Sequence, residues 1–134
     1  MPTEPRSGAS GLSRVYIEGD LLFDDMLRDI ECAQRSVRFE SYIFTSDPVG
    51  RQFVDTLARC ATRGLDVRLR VDHLGSWRDL SNADIERLRA GGVHFEWSRR
   101  WSVHRPLAIN RRNHRKLLVV DEAIAYVGGF NVHA

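Results

Sequence analysis

Apolar residues in this chain recur at two different periods, and the two alternate. Leu22, Phe23, Met26, Leu27, Ile30 and Ala33 fall on one helical face. Then Ser36 to Phe44 switches to every second residue, with Val37, Phe39, Ser41 and Ile43 opposite Arg38, Glu40, Tyr42 and Phe44. Val49, Phe53, Val54, Leu57, Ala58 and Ala61 restore the helical period, and Val67, Leu69 and Val71 return to alternation against Arg68, Arg70 and Asp72. A chain that changes period in this order predicts an α/β fold. The punctuation agrees. Asp20 is placed to cap the first helix, which should run to about Arg35. Asp47-Pro48 is an N-cap followed by proline at the first helical position, and Gly64 is placed to stop that helix. Ser81 opens a short helix with Ile85 and Leu88 that ends at Gly91-Gly92, and Val93 to Trp97 is a short strand. A strand from about His114 to Val120, a tight turn at Asp121-Glu122 and a strand over 123–127 form a hairpin, so the sheet should be mixed.

Residues 1–13 are rich in Pro, Ser and Gly and are expected to form a disordered leader, with residues 14–134 as one domain. A length of 134 residues is enough to bury a real core. No apolar run reaches the length of a membrane span, and no signal peptide is evident, so any membrane contact is expected to be peripheral. Cys32 and Cys60 match no metal spacing and are expected to be small, buried, free thiols of a reducing compartment. The expected location is the cytoplasm, at the inner face of the membrane.

The basic residues are unevenly made and unevenly placed. Nineteen are arginine and one, Lys116, is lysine. A compact ammonium and a planar guanidinium are not interchangeable at a tight anion site. From Trp97 to Val120 there is no acidic residue, although Arg99, Arg100, Arg105, Arg111, Arg112, Arg115 and Lys116 fall there. Such a run is either a solvated basic face or a surface for an anionic partner.

In a strand, His114 and Lys116 project to one face while Arg115 faces away. Past them, Leu117 to Val120 is apolar on both faces, as in a central strand buried on both sides. A neutral imidazole can attack phosphorus, and an adjacent ammonium can neutralise the oxygens as charge develops. If the hairpin is antiparallel, Gly128-Gly129-Phe130-Asn131 returns to the end of the sheet that carries His114. There Gly128 and Gly129 would let the backbone approach a phosphate, and Asn131 would offer an amide donor. Asp121 lies seven residues of strand from His114, about 23 Å at the usual rise, so its expected role is to hold the turn.

The arrangement His114-x-Lys116, four residues, Asp121, six residues, Gly128-Gly129-x-Asn131 resembles the catalytic signature of the phospholipase D superfamily. The flanks Phe39-Glu40-Ser41-Tyr42-Ile43-Phe44, Val71-Asp72-His73-Leu74-Gly75-Ser76 and Arg112-Asn113-His114-Arg115-Lys116 are similar to those of the cardiolipin synthases. The resemblance implies a mixed sheet flanked by helices, one half of a two-lobed fold. It implies phosphatidyl transfer through a phosphohistidine on His114, with Lys116 beside it and with no metal or organic cofactor. It also implies a second His-x-Lys half, in the parent chain or in a second subunit, and anionic phospholipid at a membrane surface as partner. The sequence carries one His-x-Lys and stops soon after it, which is expected of the N-terminal half of a two-motif enzyme. Glu40 is the best carboxylate within the chain to orient His114; the alternative is a surface Glu paired with a nearby Arg. Two competing functions remain: a homodimeric nuclease or phosphodiesterase acting on nucleic acid through the basic run, and an inactive fragment that binds anions or membranes. His73 and His94 are expected to be packing or surface residues, and Trp77, Trp97 and Trp101 loop or rim residues.

Overall fold

The computed structural model describes residues 14–98, 116–128 and Val132. The elements run α1 (Gly19–Glu31), β1 (Ser36–Ser41), α2 (Pro48–Thr62), β2 (Asp66–Asp72), α3 (His73–Ser76), α4 (Asn82–Gly91), β3 (His94–Ser98), β4 (Lys116–Val120) and β5 (Ile124–Gly128). The five strands form one sheet in the order β3-β2-β1-β4-β5. β1, β2 and β3 are mutually parallel, while β4 is antiparallel to both β1 and β5, so the sheet is mixed as the hairpin required.

The period-2 strands sort their residues cleanly between the two faces. Val37, Phe39, Val67, Leu69, Val71, Phe95, Leu118, Val120 and Tyr126 are buried against α1, α2 and α4. Phe53 of α2 is fully buried and meets three rings edge-on: Phe39 at 5.6 Å, Phe23 at 5.8 Å and Phe44 at 6.4 Å between centroids. The opposite face of β1 to β3 is charged. On it Arg70 pairs with Glu96 and, at 3.7 Å, with Glu40. On that same face Leu117 and Val119 of β4 are half-buried, so β4 is fully buried only toward the helices.

The helix boundaries follow the predicted caps with one exception. The carboxylate of Asp47 accepts from the Gly50 N–H at 2.8 Å with Pro48 beginning α2, and the Ser81 hydroxyl accepts from the Asp84 N–H at 3.2 Å to begin α4. Gly64 and Gly92 take φ of 94° and 102°, the left-handed turn that ends α2 and α4. The exception is α1, which starts at Gly19 with Glu18 in the cap position and no side-chain cap, so Asp20 lies in its first turn instead, and which ends at Glu31, short of the expected Arg35. Asp25 of α1 is buried and accepts from Arg14 at 2.9 Å, from Tyr16 at 2.6 Å and from Arg28. Burial pushes its carboxyl up, but the Tyr16 hydrogen bond and the two guanidiniums outweigh that and hold it below the usual value.

Two expectations are corrected. Cys60 is buried and burial pushes its thiol up, whereas Cys32 is exposed, because it follows the last turn of α1 and points away from the core. β1 ends at Ser41 rather than continuing to Phe44. The Ser41 hydroxyl donates to the Ile43 carbonyl at 2.8 Å, the chain bends, and Phe44 turns into the core, fully buried. The leader, residues 1–13, and the basic run 99–115 lie outside the described residues.

Candidate functional site

Three parallel strands place their carboxyl ends along one edge of the sheet, and β4, running the other way, begins at that edge. Lys116 therefore stands beside the end of β1, one residue beyond the register pair Glu40 and Leu117. It lies across from Gly128 on β5, so the hairpin does bring these two motif positions together. Val132 returns to the same end: its N–H donates to the Ile43 carbonyl at 2.9 Å and its carbonyl accepts from the Thr45 N–H at 3.1 Å. The edge at the carboxyl ends of the strands is where open α/β sheets bind ligands.

Lys116 shares a face with Leu118 and Val120, the helix side, and is half-buried. Its ammonium sits over the ring of Tyr42, 5.8 Å from the centroid, and among the described residues it makes no ion pair with a carboxylate. Desolvation pulls its pKa below the ordinary lysine value. Gly128 is on the same face, and a Cβ built there would meet nothing within 4 Å. Packing among the described residues therefore does not demand glycine here.

Glu40 lies on the other face. Its register partner is Leu117, one residue out of phase with Lys116, and its carboxylate pairs with Arg70 at 3.7 Å. The sheet thus stands between Glu40 and Lys116. His114, Gly129 and Asn131 lie outside the described residues.

Asp121 is at the opposite end of β4. With Glu122 and Ala123 it forms the hairpin turn between Val120 and Ile124; Asp121 and Glu122 both take positive φ (54° and 56°), and the Ala123 N–H donates to the Val120 carbonyl at 3.0 Å. Its carboxylate accepts from the backbone N–H groups of Gln34 (2.9 Å), Arg35 (2.7 Å) and Ser36 (3.0 Å). Its carbonyl accepts from the Arg35 guanidinium at 2.9 Å, and its own N–H donates to the Ser36 carbonyl at 2.8 Å. Partial desolvation pushes the carboxyl up, but those N–H groups and the Arg35 charge prevail and hold it below the usual carboxylate range. One side chain thereby ties the hairpin to the entry of β1.

The sequence reading missed α3. Asp72 ends β2 and caps this single turn, accepting from the N–H groups of Leu74 (2.9 Å) and Gly75 (3.1 Å). The turn leads His73 into an aromatic cluster, stacked on Trp77 at 6.3 Å and edge-on to Trp97 at 5.2 Å between centroids, while His94 is exposed on the charged face. Trp77 is half exposed and Trp101 lies outside the described residues. The signal available was the Asp at a strand end, a standard capping residue.

The family profile described as "Cardiolipin synthase, PLD-like domain" matches residues 26–134. The chain belongs to this family. Similar PLD-like relatives include cardiolipin synthase 2 of Staphylococcus epidermidis, 40% identical over 121 residues, which cover 88% of this chain and 24% of that protein. A cardiolipin synthase of Clostridium perfringens is 35% identical over 119 residues, covering 88% of this chain and 25% of that protein. The chain thus spans about a quarter of the length of these relatives. Two solved structures share the fold of this PLD-like domain. Nuc, a phospholipase D family member from Salmonella typhimurium, has a TM-score of 0.59 at 23% identity over 82% of this chain and 64% of that one. NucT from Helicobacter pylori has a TM-score of 0.61 at 20% identity over 85% and 68%. The helix-flanked mixed sheet is accordingly one lobe of the PLD-like α/β fold. Among the described residues no helix is long and apolar enough to cross a membrane.

Proposed function

We propose that this lobe supplies the nucleophile side of a phosphatidyl-transfer reaction, cardiolipin synthesis from phosphatidylglycerol, as the N-terminal half of a two-motif enzyme. A ring nitrogen of His114 attacks the phosphodiester phosphorus, and the bond from phosphorus to the leaving glycerol oxygen breaks as the N–P bond forms. A histidine of the second His-x-Lys half, in the parent chain or a second subunit, gives the leaving oxygen its proton. The hydroxyl of a second phosphatidylglycerol then displaces the imidazole and surrenders its proton to the same base. Cardiolipin and glycerol result. Lys116 neutralises the non-bridging oxygens as charge develops, and Gly128, Gly129 and Asn131 hold the phosphate through backbone and amide donors. No metal or organic cofactor enters this scheme. The described face of Glu40 argues against it as the carboxylate that orients His114.

The observation that carries the reading is Lys116: the chain's one lysine, desolvated at the carboxyl edge of the sheet, across from Gly128 on β5. In this reading the protein works at the cytoplasmic face of the inner membrane, bound peripherally to anionic phospholipid. The test is to incubate the full-length polypeptide carrying this domain with phosphatidylglycerol vesicles and seek cardiolipin by mass spectrometry. Cardiolipin that disappears in the His114→Ala variant supports the proposal. Cleavage of DNA in place of lipid would replace it with the nucleic-acid phosphodiesterase reading, and a folded protein inert on both would leave an anion-binding lobe.

A further inference from the structure

Lys116 has a flexible stem of four carbons, so something must hold its ammonium at the edge of the sheet. Its described neighbour on that face is the ring of Tyr42, 5.8 Å from Nζ to centroid, within the range of a cation–π contact. Tyr42 follows the last residue of β1, where the strand ladder has ended, so strand pairing does not fix it. α3 does. The Ser76 hydroxyl, 1% exposed, donates to the Tyr42 carbonyl at 3.0 Å and accepts from the Phe44 N–H at 2.9 Å. Gly75 packs against the same peptide so closely that a Cβ there would lie 2.4 Å from the Tyr42 carbonyl oxygen and 3.3 Å from its Cε1. Asp72, 4% exposed, holds the turn closed through its two N-cap bonds.

We infer that Tyr42 is a positioning residue for Lys116, and that Asp72, Gly75 and Ser76 form a buckle fixing Tyr42 beneath it. The inference rests on the reading of Lys116 as the group that meets phosphate. The buckle crosses from the end of β2 to the end of β1, so it ties two strand ends into one platform under the ammonium. A glycine is needed at position 75 because any side chain would strike backbone.

The single lysine makes a direct test available in the 134-residue chain. With isotopically labelled lysine, NMR shows one side-chain spin system, that of Lys116. On its face stand Tyr42 and, from β5, Gly128 and Tyr126; Glu40, Arg70 and Glu96 lie across the sheet. The ε-methylene of Lys116 should be shifted upfield by the Tyr42 ring and show contacts to the ring protons. Tyr42→Phe should retain both. Tyr42→Leu, similar in apolar bulk but without a ring, should lose the upfield shift and lower the Lys116 titration midpoint by about half a pH unit. Gly75→Ala should reduce the upfield shift although it touches no atom of Lys116. In the full-length protein Tyr42→Leu should cut kcat about two- to fivefold, with Tyr42→Phe restoring it.

A wild-type Lys116 with the shifts of free lysine overturns the inference even if every variant fails to fold. So does a folded Tyr42→Leu whose Lys116 signals and titration are unchanged. If the ring contact is present but Lys116→Ala transfers phosphatidyl groups at the wild-type rate, the proposed function falls and the positioning contact stands.

Discussion

The two ends of β4 are five residues apart and chemically opposite. At the Asp121 end, three backbone N–H groups converge on one carboxylate, and the turn carbonyl and amide are bonded as well. At the Lys116 end, a half-buried ammonium has an aromatic face below it and, among the described residues, no ion pair and nothing within 4 Å of a Cβ built on the facing Gly128. Both residues belong to the same sequence signature. One end is saturated and holds the fold; the other carries no ion pair among the described residues, and in the proposed reading it is the end that meets phosphate. In that reading, residues that occur together in a motif divide its labour between stability and chemistry, and the length of β4 separates the two.

Substitutions at the two ends should separate those effects. The largest effect belongs to His114→Ala in the full-length protein, with transfer falling on the order of a million-fold as for other covalent nucleophiles. Lys116→Ala should lower kcat about a hundred- to a thousand-fold, measured by product formation, while the melting temperature stays within a few degrees. A comparable loss of stability in Lys116→Ala would break the comparison. Asp121→Ala should do the reverse. It removes three charge-assisted hydrogen bonds and places alanine at φ 54°, so it should cost about 3 kcal/mol in denaturant unfolding.

Acid should act on the Asp121 end and on α1. Asp121 and Asp25 both titrate below the ordinary carboxylate value in the folded chain. A group depressed in this way contributes stability above its unfolded pKa, about 3.9, and that stability is lost as pH falls through the folded value. Unfolding free energy should therefore fall below about pH 4, and Asp121→Asn should flatten that dependence. The smallest expected effect is Gly128→Ala. With no atom of the described residues within 4 Å of the added Cβ and no positive φ to strain, stability should change by less than about 1 kcal/mol, and a drop in turnover would point to substrate beside Gly128.

The periodic elements were legible from sequence because burial on one face writes its period directly. β2 and α2 lie within a residue or so of their predicted bounds for that reason, and the role of Asp121 followed from counting residues along a strand. α3 was not legible, since a four-residue turn is too short to show a period. Nor was the true end of β1. Alternation continues through Phe44 in the sequence, but the Ser41 hydroxyl takes the Ile43 carbonyl, and the resulting bend sends Phe44 to the face its position would have denied it. The orientation of Glu40 required the register of β1 on β4, which no local pattern contains. By its alternation Tyr42 is one more residue of a strand; its place beneath Lys116 depends on α3, which no local pattern announces.

β1 is the middle strand, and its two neighbours arrive at very different times during synthesis. β2 follows it within about thirty residues, but β4 must wait until residues 116–120 leave the ribosome. After β3 is made, roughly one to four seconds of translation pass before β4 exists. Throughout that interval one side of β1 presents unpaired peptide groups flanked by Val37 and Phe39, a ready template for another nascent chain. The late hairpin thus covers that open side of β1, and the Asp121 carboxylate is the latch that fastens it.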